Sequence, residues 1–165
     1  MPKLPLVALA LAALAAPGGG TPPAAAPAPA YWAMRHLDVP SGQQDPDLTD
    51  IGRFRAGRLA DELAPHHPAA IYVSTYKRTQ QSAAPLAARL GLTPIVYDPA
   101  DTPAMVARVR AGPTPALIVG HSNTVPDIVE QLGGTRPGPM VHEDFGDIWR
   151  IGPDGATVRS RIEGE

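Results

Sequence analysis

Two arginines and two histidines stand where they could do chemistry together: Arg35-His36, Arg78 and His121. Each lies at or just beyond the end of a short apolar run. Tyr31-Trp32-Ala33-Met34 precedes the first pair, Ala70-Ile71-Tyr72-Val73 precedes Arg78, and Ala116-Leu117-Ile118-Val119 precedes Gly120-His121. Such runs read as buried strands, and in an open α/β sheet the carboxyl ends of the strands open on one crevice. Residues distant in sequence then share a pocket. A guanidinium is permanently charged, and its planar fork matches phosphate oxygens. A neutral imidazole keeps a nitrogen lone pair that can attack or take a proton. Two of each around one pocket suit a phosphate ester.

The elements that must position these groups follow from the apolar pattern. Residues 38–48 are rich in Pro, Gly, Gln and Asp and read as a loop. Thr49 is a plausible N-cap for a first helix, with Asp50 against its positive end. Ile51, Phe54, Leu59 and Leu63 are expected to form its buried side, and Pro65 to stop it. A second helix is expected from about Thr79 to Leu90, with Gly91 as its C-terminal cap. Pro94-Ile95-Val96-Tyr97 reads as a third strand. Thr102-Pro103 reads as N-cap and first residue of a third helix reaching about Arg110. The fourth strand, 116–119, leads to a helix from about Thr124 to Leu132, ended by Gly133-Gly134. Residues 147–151 and 156–160 read as a hairpin turning at Pro153-Asp154-Gly155. Alternating strands and helices predict a three-layer α/β fold. Its open sheet is mainly parallel, with helices on both faces and an antiparallel edge.

Composition narrows the function classes. With 165 residues the chain is long enough for one domain. It has no cysteine, which excludes disulfides, cysteine nucleophiles and thiolate metal sites. The formal net charge of −2 gives no basic excess and so no signal for nucleic acid. Residues 1–30 differ in kind from the rest. Lys3 precedes an Ala- and Leu-rich apolar stretch ending at Ala16, followed by a Pro-, Ala- and Gly-rich spacer. The apolar stretch is shorter than the ~20 residues of a bilayer span and matches the ~7–15 of a signal-peptide core. Small-x-small cleavage sites occur at Ala13-Leu14-Ala15 and Ala28-Pro29-Ala30. Residues 1–30 are therefore expected to be a signal peptide and spacer, and 31–165 the folded domain. The mature protein is expected to be periplasmic or secreted, with no membrane attachment after cleavage. No residue pattern assigns an oligomeric state.

Four motifs in order resemble the histidine phosphatase superfamily, the group that also contains the cofactor-dependent phosphoglycerate mutases. They are Arg35-His36 after the first strand, Leu48-Thr49-x-x-Gly52 at the first helix, Ser74-x-x-x-Arg78-Thr79-x-Gln81 after the second strand, and Gly120-His121 after the fourth. The resemblance covers residues 31–151. It implies that His36 is the nucleophile that carries a transient phosphoryl group. Arg35 and Arg78 would clamp the phosphate oxygens, and His121 would complete the pocket and stabilise the transferring group. Phosphoryl transfer is mostly positioning and electrostatic stabilisation, and the cationic side chains supply this with no metal or cofactor. Two nearby guanidiniums disfavour a third positive charge and keep His36 neutral. Amides near Ser122 and Asn123 could add donors.

The leaving group needs a proton, and the resemblance points to a carboxylic acid on the loop after the third strand. Asp101 is preferred, because it borders a helix N-terminus, with Asp98 as the neighbouring candidate and Glu143 and Asp144 as outside ones. His66 and His67 read as solvated loop residues. His142 reads as a loop residue rather than a metal ligand. Trp32, Tyr76 and Trp149 fit a core as well as a pocket. Specificity is expected from residues 38–48 and 133–146. One departure concerns Leu37, where the family usually has Gly or Ala; a bulky side chain there either narrows the pocket or points into the core. The chain is also too short for the insertions that mutases use. The expected function is an exported, metal-independent phosphomonoester hydrolase acting on a small phosphorylated substrate through phosphohistidine. The alternative is an inactive phosphate-binding or interaction module of the same fold. Action on phosphohistidine of signalling proteins is disfavoured by the signal-like leader.

Overall fold

The computed structural model describes residues 30–164. The signal peptide and spacer expected within residues 1–30 lie outside the described residues, except Ala30. That residue is buried, and its carbonyl accepts the Ala116 N–H at 3.1 Å. No helix among the described residues is long and apolar enough to cross a membrane.

Six strands form one sheet. They are β1 (Tyr31–Arg35), β2 (Ala70–Ser74), β3 (Ile95–Tyr97), β4 (Ala116–Gly120), β5 (Asp147–Ile151) and β6 (Thr157–Arg161). Their order is β3-β2-β4-β1-β5-β6. The pairs β3/β2, β2/β4 and β4/β1 are parallel, whereas β1/β5 and β5/β6 are antiparallel. The expected mainly parallel sheet with an antiparallel edge is thus observed. β2 and β4 are buried along their whole length, as parallel strands covered on both faces must be.

Side chains alternate across the sheet with a period of two. Trp32, Met34, Ile71, Val73, Leu117 and Val119 face one layer, where α1 (Asp50–Leu63) and α2 (Lys77–Leu90) contribute Ala56, Leu59, Leu63, Ala83 and Leu86. Ala33, Tyr72, Ala116 and Ile118 face the other. There α3 (Thr102–Ala111) and α4 (Val125–Gln131) contribute Met105, Val106, Val109, Val125, Ile128 and Val129.

Local signals account for most boundaries. Thr49 caps α1, its hydroxyl accepting from Gly52 N at 3.1 Å. Gly91 closes α2 in the left-handed conformation. Three expectations are corrected. Ile51 and Phe54 are about half exposed, at 48% and 49%; the buried stripe of α1 runs instead through Gly52, Ala56, Leu59, Ala60 and Leu63. α2 begins at Lys77 rather than Thr79, because Asp45 of the distant 38–48 loop accepts the Lys77 N–H at 3.1 Å and satisfies that free donor. α3 is capped by Asp101, not Thr102, with Asp101 Oδ1 accepting from Ala104 N at 3.0 Å.

Gly52 holds α1 against the turn that follows β1. A Cβ there would lie 2.4 Å from the Asp38 carbonyl oxygen, a backbone atom with no freedom to swing away. That carbonyl also accepts the Thr49 N–H at 2.9 Å. Gly52→Ala is therefore expected to lower stability by about 1–3 kcal/mol, as overpacking typically does. The urea midpoint, with unchanged m, checks this; an unaltered midpoint would mean that the helix can move off without cost.

Candidate active site

The first three strands to be followed by signature residues deliver them to one place. β1, β2 and β4 run parallel, with Arg35 opposite Gly120 in the register. Their carboxyl ends therefore lie side by side. A cleft of about 580 Å³ opens there, and Arg35, His36, Arg78 and His121 all line it. The residues 39–44 and Pro46 form one rim, Pro99 and Ala100 another, and Ser122, Asn123 and His142 complete the walls.

The two imidazoles sit together. Their ring centroids are 5.5 Å apart, edge to face, and both side chains are buried. His36 Nδ1 is 2.9 Å from the Leu37 carbonyl. A carbonyl only accepts, so Nδ1 carries the proton and Nε2 keeps its lone pair. His121 is set in the opposite sense. Its Nδ1 faces Arg78 Nη2 at 3.3 Å, and a guanidinium only donates. The proton of the neutral ring then lies on Nε2, which donates to Ser74 Oγ at 2.9 Å. Ser74 is itself fully buried and shares a hydrogen bond with Thr79 Oγ1 at 3.0 Å.

Burial is the largest cause of a downward shift in both rings. It brings His36 to about 3, with the charges of Arg35, His121 and Arg78 adding to it and the Leu37 carbonyl opposing it. His121 falls to about 4, again by burial first and then by Arg78 and Arg35, with Asp45 pulling the other way. The arginines expected to keep His36 neutral do contribute, but withdrawal from water contributes more.

Each arginine is held by a different rim. Arg35 Nη1 donates to the carbonyls of Val141 and His142, at 2.7 and 3.0 Å, and more weakly to that of Asp144 at 3.4 Å. Its guanidinium lies 4.3 Å from the centre of the Phe145 ring. Its Nε is buried without a partner. Arg78 Nη1 reaches the Gln44 carbonyl and Asp45 Oδ1, at 3.3 and 3.4 Å, and the guanidinium stacks 4.2 Å over Tyr76. Tyr76 also meets His121 edge to face at 5.2 Å. Sequence reasoning gave no role to Asp45, and left Tyr76 and Phe145 without one. The Arg78 contacts are set by a loop 33 or 34 residues away, so no local pattern announces them.

The proposed acids lie elsewhere. Asp101 caps α3 and lines a separate shallow hollow with Asp98, Met105 and Arg108, although Pro99 and Ala100 beside it reach the cleft. Asp98 accepts from Ala100 N at 2.9 Å. Asp144 Oδ2 accepts from Val141 N at 2.7 Å, and Glu143 is exposed outside the lining. No Asp or Glu is among the described residues that line the cleft. Leu37 is fully buried in the core and does not enter the cleft. Near Ser122 and Asn123, the N–H groups of Thr124 and Val125 are taken by the His121 carbonyl. No group of three or more His, Cys, Asp or Glu among the described residues is placed to hold a metal ion.

Residues 31–100 match the family model described as the histidine phosphatase superfamily, branch 1. Among curated proteins no significant match is found. The protein histidine phosphatase SixA, complexed with tungstate, is similar in fold at 19% identity and a TM-score of 0.61, covering 82% of this chain and 97% of that one. A phosphohistidine phosphatase SixA assigned in Agrobacterium tumefaciens matches at 19% identity and 0.56, over 81% and 96%. The mycobacterial glucosyl-3-phosphoglycerate phosphatase Rv2419c, in complex with VO3, matches at 16% identity and 0.60, over 81% and 98%.

The depressed imidazoles make stability depend on pH. Between their folded values of about 3 and 4 and the ordinary value of 6.5, the unfolded chain binds protons that the folded site refuses. Stability is then fully present above about pH 6.5 and falls as pH drops towards 4. Urea midpoints from pH 7 to 4.5 are expected to decline more steeply for the natural protein than for a His36→Asn, His121→Asn double variant. Parallel slopes would contradict neutral burial.

Proposed function

This chain belongs to the histidine phosphatase superfamily, and on that premise we propose that it is a phosphomonoesterase that works through a His36 phosphoenzyme without a metal ion. The observation that carries the reading is the convergence of Arg35, His36, Arg78 and His121 on one cleft, with the free lone pair of His36 on Nε2. The ester phosphate sits between the two guanidiniums. His36 Nε2 attacks phosphorus, and the bond from phosphorus to the ester oxygen breaks. The arginines face the three equatorial oxygens, over which the charge of the transferring group spreads, and His121 orients Arg78 through Nδ1. Water then attacks the phosphohistidine, breaks the P–N bond and restores His36. The positive charge that a metal would supply comes from the arginines. The cleft is open to solvent along residues 39–44, which favours water as the acceptor over a retained second substrate.

The alternative of an idle phosphate-binding module draws on Leu37 and on the unassigned general acid. The Leu37 side chain packs among Met34, Leu48 and Leu59 rather than in the cleft, which removes the first of these.

Export is the remaining part of the proposal, and it rests on the leader pattern of residues 1–30. Ala30 extends the β1/β4 pairing by one residue through its hydrogen bond from Ala116 N. Cleavage after Ala30 removes that contact, so the site at Ala13-Leu14-Ala15 is favoured.

Rapid acid quench during turnover of p-nitrophenyl phosphate is expected to trap phosphate on the natural protein and none on His36→Ala. Equal turnover by the two ends the proposal. Arg78→Ala is expected to lose about 10²–10³-fold in kcat, the usual effect of removing a preorganised charge. Dialysis against EDTA is expected to leave the rate unchanged; a loss restored by a divalent cation would refute metal independence. N-terminal sequencing of protein recovered outside the cytoplasm is expected to begin at Ala16, and an intact leader on cytoplasmic protein would refute export.

A further inference from the structure

The attack by His36 leaves a question of protons. The departing oxygen of an ordinary alkyl ester needs one, and the described lining of the cleft holds no carboxylic acid. Nor can the two buried imidazoles supply it. His36 must be neutral to attack, and His121 has both nitrogens engaged, by Arg78 and by Ser74.

One further imidazole lines the same cleft. His142 is exposed on the segment between α4 and β5. Its ring meets Phe145 edge to face at 5.6 Å, and His36 lies against the same Phe145 at 5.9 Å. The backbone that carries His142 is not free. Arg35 Nη1 donates to the carbonyls of Val141 and His142, Asp144 caps the Val141 N–H, and the Phe145 N–H is donated to the Glu143 carbonyl at 2.9 Å. The arginine that faces the phosphate therefore also fixes the segment bearing this imidazole. Phe145 is itself buried.

We propose that His142 is the proton donor to the leaving group, held in register with the phosphate by Arg35 and Phe145. This rests on the phosphoenzyme reading above. In the first half-reaction the imidazolium of His142 gives its proton to the ester oxygen as the P–O bond breaks. In the second, the neutral ring takes a proton from the water that attacks phosphorus, and the cycle closes with no net proton gained by the protein. The groups around His142 are Glu143 and Asp144 on its own segment, Arg35 from β1 and His36 across Phe145. Tyr76 is the other cleft-lining side chain with an acidic hydrogen, but its ring is covered by Arg78.

The test is the dependence of kcat/KM on the leaving group. p-Nitrophenyl phosphate, phenyl phosphate and ethyl phosphate demand progressively more protonation. His142→Gln is expected to lose on the order of 10²-fold on ethyl phosphate, the usual share of a general acid, and far less on p-nitrophenyl phosphate, so the slope against leaving-group pKa steepens. Equal losses on all three esters, or no loss on any, overturn the assignment while leaving the phosphoenzyme reading intact. A steepened slope in Tyr76→Phe with none in His142→Gln also overturns it. A natural protein that turns over none of the three esters overturns both readings.

Discussion

Electrostatic crowding in the cleft is the constraint on which the other features depend. Arg35 and Arg78 bring permanent positive charge to a site whose two imidazoles are already buried. Burial and these charges act in the same direction on His36 and His121. Neither ring holds a second proton near neutral pH, so each is left with one donor and one acceptor nitrogen. The neighbours then decide which is which. Leu37 takes the His36 proton at Nδ1, and Arg78 forces the His121 proton onto Nε2. The reactive lone pair and the supporting donor are thus consequences of charge and burial rather than separate devices.

Each guanidinium is also engaged at a rim of the cleft. Arg35 takes carbonyls of 141–144, and Arg78 takes Gln44 and Asp45. These are modest, partly exposed contacts, and the Arg78–Asp45 pair at 3.4 Å is not tightly formed. A phosphate dianion bound as proposed would offer stronger, charge-assisted partners, and the two arginines would then tie both rims to it. Residues 38–48 and the segment before β5, from which specificity is expected, are the two segments concerned.

Much of this was readable in the sequence because the signals were local. Three apolar runs ended at chemically useful residues, and strand ends converge in a parallel sheet. Thr49 and Gly91 mark helix ends by their own side-chain and backbone chemistry. What failed was non-local. The apolar pattern put Ile51 and Phe54 on the buried side of α1, whereas the residue pressed against the Asp38 backbone is Gly52. α2 starts two residues early because a carboxylate from another loop meets its first N–H. Asp101 was correctly sensed as belonging to a helix entry, but a side chain that caps its own helix is thereby turned away from the crevice. His142 looked like a loop residue and is one; only the hydrogen bonds of Arg35 place that loop at the cleft.

A lining without carboxylates is chemically coherent with the rest of the site. Asp45 already pairs with Arg78 at 3.4 Å and pulls His121 upward; a further carboxylate inside the cleft would extend both effects and repel an anionic ester. It would weaken both the clamp and the nucleophile. The acidic side chains of this region stand back from the cleft and are occupied, Asp45 with the Lys77 N–H and Arg78, Asp144 with the Val141 N–H. A proton carrier that is cationic when loaded has the opposite effect on the ester: it attracts the dianion before transfer and becomes neutral as the charge passes to the leaving oxygen. In a cleft already committed to binding negative charge, an imidazole is the acid that does not oppose the clamp.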